Sequence, residues 1–125
     1  MGNITVSSTI SGTLDGVTHS VTGAASLTVD GCAVETISVT TAYAVLNVVN
    51  GGRIMRALIY NEGDNEVKVR VERSAGATWQ YFNIPAGRVI QIFDTDNSMD
   101  ETNIESIAVK TLIGVSRVVT LQAWR

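Results

Sequence analysis

The chain has 125 residues, of which 45% are hydrophobic and 17% are charged, and its formal net charge is -3. A chain of this length and apolar content buries enough surface to fold as one domain over residues 1–125, which excludes a disordered tail. The weak negative charge provides no basic field for a phosphate backbone, and no apolar segment is long enough for a membrane span. Neither nucleic acid nor a membrane is therefore expected as a partner.

The N-terminal segment, residues 1–41, differs from the rest of the chain in charge. All nine basic residues lie from Arg53 onward, whereas the early segment is rich in Ser and Thr and has only Asp15, Asp30 and Glu35 as ions. Uncharged strands lose little solvation energy when they are buried against a partner. We therefore expect this segment to form strands that contact other protein chains.

Two early hairpins are predicted from the Asp15-Gly16 and Asp30-Gly31 pairs, because both central positions of a tight hairpin turn need a positive φ. Around the first pair, apolar residues such as Ile10, Val17 and Val21 alternate with polar ones, which is the period of a strand. Exposed strands of this kind leave sheet edges able to pair with another chain. The predicted partner-binding residues are the hydroxyl side chains Thr5, Ser7, Thr9, Thr18, Ser20 and Thr22.

The middle of the chain predicts two strands with different surroundings. The segment 54–60 is apolar at nearly every position except Arg56, which indicates a central strand with both faces covered. The segment 66–72 alternates three valines with charged residues and predicts a strand with one wet face. Three more strands are expected at 89–93, 104–112 and 115–124.

The fold class follows from the spacing of these strands. No long window has the 3.6-residue apolar period of a helix, and turn residues recur at short intervals. The sequence therefore predicts an all-β fold, a single β-sandwich or jelly-roll-like barrel of about ten short, mainly antiparallel strands.

A catalytic site has little support in the sequence. His19 is the only histidine, it lies in register with two valines of a predicted strand, and no Gly-x-Ser-x-Gly motif occurs. The acidic residues of the segment 94–105 cluster on one loop, whereas the paired carboxylates of glycoside hydrolases face each other across a cleft. We expect a protein that is not an enzyme and has no cofactor.

The same acidic loop is a weak candidate for calcium binding, because its oxygen-bearing side chains follow the spacing of a calcium loop. The sixth position is Met99, where the sharp turn of such a loop calls for Gly, and the loop joins predicted strands rather than helices. A solvated polar connection is therefore favoured over a metal site. The metal ligands would be Asp94, Asp96, Ser98, Asp100 and Glu105.

Aromatic residues on another predicted strand are candidates for a stacking platform. Period two places Trp79 and Tyr81 on one face and Phe82 and Ile84 on the other. One pair is expected in the core, and the other is expected at a rim, where it could stack on a sugar or contact a protein partner.

Three segments together resemble the small β-sandwich proteins of tailed-bacteriophage virions, capsid decoration (cement) proteins among them. An apolar strand ends at Asn61 in a polar turn, and the charged alternating strand follows it. A Pro/Gly corner at 85–87 then leads to Ile104-Glu105-Ser106-Ile107-Ala108-Val109. The resemblance extends from Arg53 to Val109.

The resemblance implies an accessory structural protein of the virion, made in the host cytoplasm. Such proteins oligomerise, often as trimers, and stabilise the capsid by binding the major capsid protein. The sequence has no Gly/Pro-rich arm at either terminus, so the early strands would have to act as the clasp that some cement proteins use. The alternative is a carbohydrate- or receptor-binding module of a phage tail or fibre, with Trp79 and Tyr81 as its platform.

Overall fold

A computed structural model describes residues 2–46, 54–73, 78–93 and 104–124. These residues form ten strands and no helix, which confirms the predicted all-β fold, and none of them belongs to a helix that could span a membrane. The strands are β1 (Gly2–Leu14), β2 (Val17–Val29), β3 (Gly31–Val39), β4 (Ala44–Val45), β5 (Ile54–Asn61), β6 (Val67–Arg73), β7 (Thr78–Ile84), β8 (Val89–Phe93), β9 (Ile104–Thr111) and β10 (Ser116–Trp124).

Eight strands, β3 to β10, build a sandwich of two four-stranded antiparallel sheets. Sheet I has the order β3-β10-β5-β8, and sheet II has the order β4-β9-β6-β7. Among the described residues, the sheets are joined by one strand pair, Ile54 of β5 with Ile104 of β9. The remaining strands, β1 and β2, form a separate two-stranded sheet.

The chain crosses between the two sheets in the order of a jelly roll. It alternates between sheet I and sheet II from β3 to β6, stays in sheet II for β7, and alternates again from β8 to β10. Eight strands in two such sheets are the arrangement of double-sheet jelly rolls. The predicted β-sandwich with a jelly-roll-like strand order is confirmed, and the described strands do not close into a barrel.

The core lies between the two sheets and follows from the period-two pattern of the sequence. Val67, Val69 and Val71 of β6 are fully buried, while the charged residues between them lie on the outer face. Burial of one such side chain contributes about 1.5–3 kcal/mol. Sheet I supplies the facing side of the same core with Val39, Ala57, Ile59, Ile92 and Val118.

Strand β5 is central, as predicted, but only one of its faces is covered. It pairs with β10 on one side and with β8 on the other. Ala57 and Ile59 are buried in the core, whereas Leu58 and Tyr60 on the opposite face are exposed. The prediction that both faces are covered is therefore wrong for the single chain.

The Asp30-Gly31 pair does not form the second predicted hairpin. β2 pairs with β1, and β3 pairs with β10, so the pair joins two different sheets. The backbone N–H of Asp30 donates to the carbonyl of Trp124 at 2.8 Å, which ties the end of β2 to the last strand. A Cβ on Gly31 would lie 2.5 Å from the Trp124 indole, so glycine is needed here for a close approach rather than for a hairpin turn.

Asn61 closes the corner after β5 from a fully buried position. Its Nδ2 donates to the carbonyls of Asn65 at 2.7 Å and Ile84 at 2.9 Å, and its Oδ1 accepts from Ser116 Oγ at 2.6 Å. The backbone N–H of Gly63 also donates to Oδ1, at 3.3 Å. The polar turn that contributes to the phage resemblance is therefore a structural joint between β5, β7 and β10.

We expect Asn61→Leu to lower the free energy of unfolding by about 3 kcal/mol, because several buried hydrogen bonds are lost and their partners stay unpaired. Chemical denaturation measures this change. The control is Asn83→Leu at an exposed position of β7, for which the expected change is within about 0.5 kcal/mol. Similar losses in both variants would contradict the structural role of Asn61.

Candidate binding surfaces

Strands β1 and β2 form a long hairpin, here named the arm (Gly2–Val29). The strands pair without a register shift from Gly2 opposite Val29 to Leu14 opposite Val17. With 13 residues in each strand, the arm is about 44 Å long. Asp15 and Gly16 form its turn with φ values of 52° and 79°, the positive values that a two-residue hairpin turn requires. The first predicted hairpin is therefore confirmed.

One face of the arm is apolar and exposed in the half nearest the turn. Ile10 lies opposite Val21 and Leu14 lies opposite Val17, and the alternation along each strand puts all four side chains on one face. Their exposed fractions are 79%, 71%, 70% and 56% in that order. A two-stranded hairpin is only marginally stable in water by itself, and a large exposed apolar surface marks an interaction site. This face of the arm therefore favours a protein partner.

The opposite face of the arm carries the predicted hydroxyl residues. The register brings all of them together, and all are exposed: Thr5, Ser7, Thr9, Thr18, Ser20 and Thr22. The hydroxyls of Thr9 and Thr22 lie 3.0 Å apart across the two strands, and those of Thr13 and Thr18 lie 3.3 Å apart. Part of their hydrogen-bonding capacity is therefore used within the arm, and their binding of a partner stays a prediction.

Sheet I has a second exposed apolar surface on its outer face, here named the sheet I patch. It lies in two adjacent rows of paired residues that cross β3, β10, β5 and β8, and these rows contain no charged residue. The patch consists of Val34, Leu58, Tyr60, Val89, Val119 and Leu121. Val119 is half-buried, and the other five are between 37% and 67% exposed.

Sheet II carries a different outer surface, in which cations stack on aromatic rings. The Arg70 guanidinium lies 4.2 Å from the ring centre of Tyr43 and 4.1 Å from that of Trp79. Lys110 Nζ lies 4.9 Å from the Tyr43 ring centre. With the neighbouring pair of Lys68 and Tyr81, these residues form what we call the cation–aromatic surface. Each such contact contributes about 0.5–1 kcal/mol at an exposed site.

The predicted stacking platform lies within this cation–aromatic surface. Trp79 and Tyr81 are exposed on the outer face of β7. Each ring already holds a cation, Arg70 over Trp79 and Lys68 Nζ at 4.6 Å from the ring centre of Tyr81. A sugar would have to stack on the opposite faces of these rings. The structure therefore brings the two residues together, but one face of each ring is already covered by a cation.

The acidic loop falls mostly outside the described residues. Glu105 is described, exposed on β9, whereas Asp94, Asp96, Ser98 and Asp100 lie in the segment 94–103. In the parts of the chain that the structure covers, no three His, Cys, Asp or Glu side chains are grouped as metal ligands would be. His19 is exposed in the arm, opposite Gly12. Calcium binding by the loop stays a prediction.

Two of these surfaces contain residues that sequence reasoning missed. The sheet I patch could have been predicted from the segment 54–60. Its apolar residues occupy both faces of the strand, although only one face is buried in the core. Tyr43 and Arg70 have no such signal, since they are far apart in the sequence. The strand order β4-β9-β6 brings them together.

Comparison with known proteins identifies no relative: no protein-family model matches the chain, and no curated protein matches it. The functional proposal therefore depends on the surfaces described above.

Proposed function

We propose that this chain is a structural virion protein that decorates a phage capsid and stabilises it by binding the major capsid protein. The observation that carries the proposal is the arm, whose apolar face is exposed from Ile10 and Val21 to the turn. In this proposal the protein is made in the host cytoplasm, forms a homo-oligomer, with a trimer favoured, and has no enzymatic activity.

The charge of the arm supports a role in assembly. Between residues 2 and 29 the only carboxylate is Asp15, which lies at the turn, and there is no Lys or Arg. The buried centres of protein interfaces are depleted in charge, because each buried ion must find a partner or destabilise the complex. The arm can be covered along its length without burying an unpaired ion.

The fold is compatible with both the proposal and its alternative. Double-sheet jelly rolls occur in viral capsid proteins and in lectins, so the architecture alone does not decide. Small-ligand sites are concave, with a few converging polar groups. An exposed hairpin of about 44 Å has the shape of an assembly element instead. The arm therefore favours capsid decoration over carbohydrate recognition.

The test is co-sedimentation with expanded capsids assembled from the major capsid protein encoded in the same genome. The unmodified protein is expected to co-sediment. Val21→Glu, which places a carboxylate in the apolar face of the arm, is expected to weaken binding about 100-fold. Thr22→Glu tests the predicted contact of the hydroxyl face with the same side chain. Leu112→Glu, at an exposed position outside the arm, is the control and is expected to bind normally.

The outcomes separate the two faces of the arm and the two functions. Loss of binding in Thr22→Glu alone would show that the hydroxyl face makes the capsid contact. No binding of the unmodified protein to capsids would contradict capsid decoration. If that protein instead bound a glycan in a panel, and Trp79→Ala abolished this binding, the chain would be a tail or fibre module that recognises carbohydrate.

A further inference from the structure

We infer that the apolar face of the arm docks on the sheet I patch of a second copy of the chain. The inference rests on the proposed function and makes the oligomer the species that binds the capsid, so that Val21→Glu weakens capsid binding by breaking the oligomer, whose copies bind together. It makes each copy both a donor and an acceptor of an arm.

The single chain leaves both surfaces open. Ile10 and Val21 remain exposed on the arm, and Leu58 and Leu121 remain exposed on the patch, so the arm does not cover the patch of its own chain. Strand β5 has the apolar sequence of a strand covered on both faces, yet Leu58 and Tyr60 on one face are exposed. A second copy would supply the missing cover.

The two surfaces also match in charge. The apolar face of the arm has no Lys, Arg, Asp or Glu, although it carries His19 opposite Gly12, and the two rows of the patch have no charged residue. Two cations border the patch: Arg117 of β10, which forms an ion pair with Glu62 at 3.3 Å, and half-buried Arg56 of β5, which donates to the Met55 carbonyl at 3.2 Å. Contact between the surfaces therefore buries apolar side chains without requiring new ion pairs.

At the end of the arm that joins the sandwich, a residue of the hairpin already packs on the outer face of sheet I. Val29, the last residue of the arm, is buried in a small cluster with Met55 and Ala123. Ala123 belongs to the outward register positions of β10, two residues beyond Leu121 of the patch. Val29 covers the outer face of sheet I at Ala123, and a docked arm from another copy would cover the adjacent patch at Leu121.

The buried area indicates that the exchange is reciprocal. The patch extends over two rows of residues, about 14 Å along β10, and over four strands, about 19 Å across, so covering it buries about 270 Å² on each surface. One docked arm then buries about 540 Å², whereas a stable, specific interface buries about 1,200–2,000 Å². Two arms exchanged between the same two copies bury about 1,100 Å², close to the lower end of this range, whereas each contact of a trimeric ring contains one arm and needs further contacts. In either assembly each copy donates one arm and accepts one.

The first experiment maps the partner by photo-crosslinking. Val21 is replaced by p-benzoylphenylalanine in the full chain, and isotopically heavy and light proteins are mixed before irradiation. We expect crosslinks between a heavy and a light copy that attach to residues 54–61 or 116–124. Crosslinks confined to one copy would show that the arm folds over its own sheet. Crosslinks only between two arms would also overturn the inference.

The second experiment measures the oligomer by sedimentation equilibrium without capsids. Val21→Glu on the arm and Val34→Glu on the exposed rim of the patch are each expected to raise the dissociation constant about 100-fold. Leu112→Glu makes the same kind of change at an exposed position outside both surfaces and is expected to have no effect. A monomeric unmodified protein would refute the inference and the proposed homo-oligomer, yet if it co-sedimented with capsids the proposal of capsid decoration would stand. An oligomer that did not bind capsids would support the inference and contradict the proposal of capsid decoration.

Discussion

The Val69→Asp variant is expected to be unfolded at room temperature, whereas Arg70→Asp at the next position is expected to stay folded. Val69 is fully buried in β6, which pairs with β7 on one side and β9 on the other. A carboxylate at this position costs several kcal/mol, on top of the lost packing of the valine, against a total stability of about 5–15 kcal/mol. Far-UV circular dichroism and thermal melting distinguish the two variants.

Arg70→Asp is the matched control because it puts the same side chain on the other face of β6. It removes the contacts of Arg70 with the rings of Tyr43 and Trp79, which together contribute about 1–2 kcal/mol. The melting temperature should therefore fall, but the transition should remain cooperative. If the two variants lost the same stability, the assignment of the faces of β6 would be wrong.

The sequence predicts β6 well because the signal is local. Val67, Val69 and Val71 alternate with charged residues, and burial follows the same alternation. The last strands are also predicted to within a residue at each end, 104–112 against Ile104–Thr111 and 115–124 against Ser116–Trp124. In these strands the side chains themselves determine which face is buried.

The sequence fails where distant segments decide the structure. Gly31 follows an Asp, as in a hairpin turn, but it is needed because Trp124 at the other end of the chain packs against it. Phe82 is predicted on the same face as Ile84, and only Ile84 is buried. β7 is the outermost strand on its side of sheet II, so its residues have fewer neighbours. Pairing order, which a single sequence does not contain, controls both cases.

The surfaces of the arm could be predicted in part, because the alternation of polar and apolar residues along each strand is local. The alternation around Asp15-Gly16 correctly places the hydroxyl residues on one face of the arm. It does not show that the apolar face, with Ile10 and Val21, stays exposed, because an apolar face is ordinarily taken to be buried in the same chain. An exposed apolar face has the same sequence pattern as a buried one. The structure is needed to distinguish them.

Deletion of residues 2–23 is expected to abolish oligomer formation and capsid binding while the sandwich stays folded. The deletion removes β1 and the first half of β2, which form a separate two-stranded sheet, and the described core cluster is built from the sandwich strands and their connections. The deletion keeps Val29, which packs with Met55 and Ala123, and Asp30, which donates a backbone hydrogen bond to Trp124. Sedimentation and capsid binding report the loss, and circular dichroism reports the retained β content.

Charge reversal on the opposite sheet is the control for this deletion. Lys68→Glu and Arg70→Glu change the cation–aromatic surface and should leave assembly intact. These cations already contact the rings of Tyr81 and Trp79, so a partner that buried this surface would have to pair the charges as well as cover the rings. If the truncated protein still assembled and bound capsids while either reversal blocked both, the interface would lie on sheet II. The uncharged arm would then need another explanation, because its apolar face would remain in water in the assembled particle.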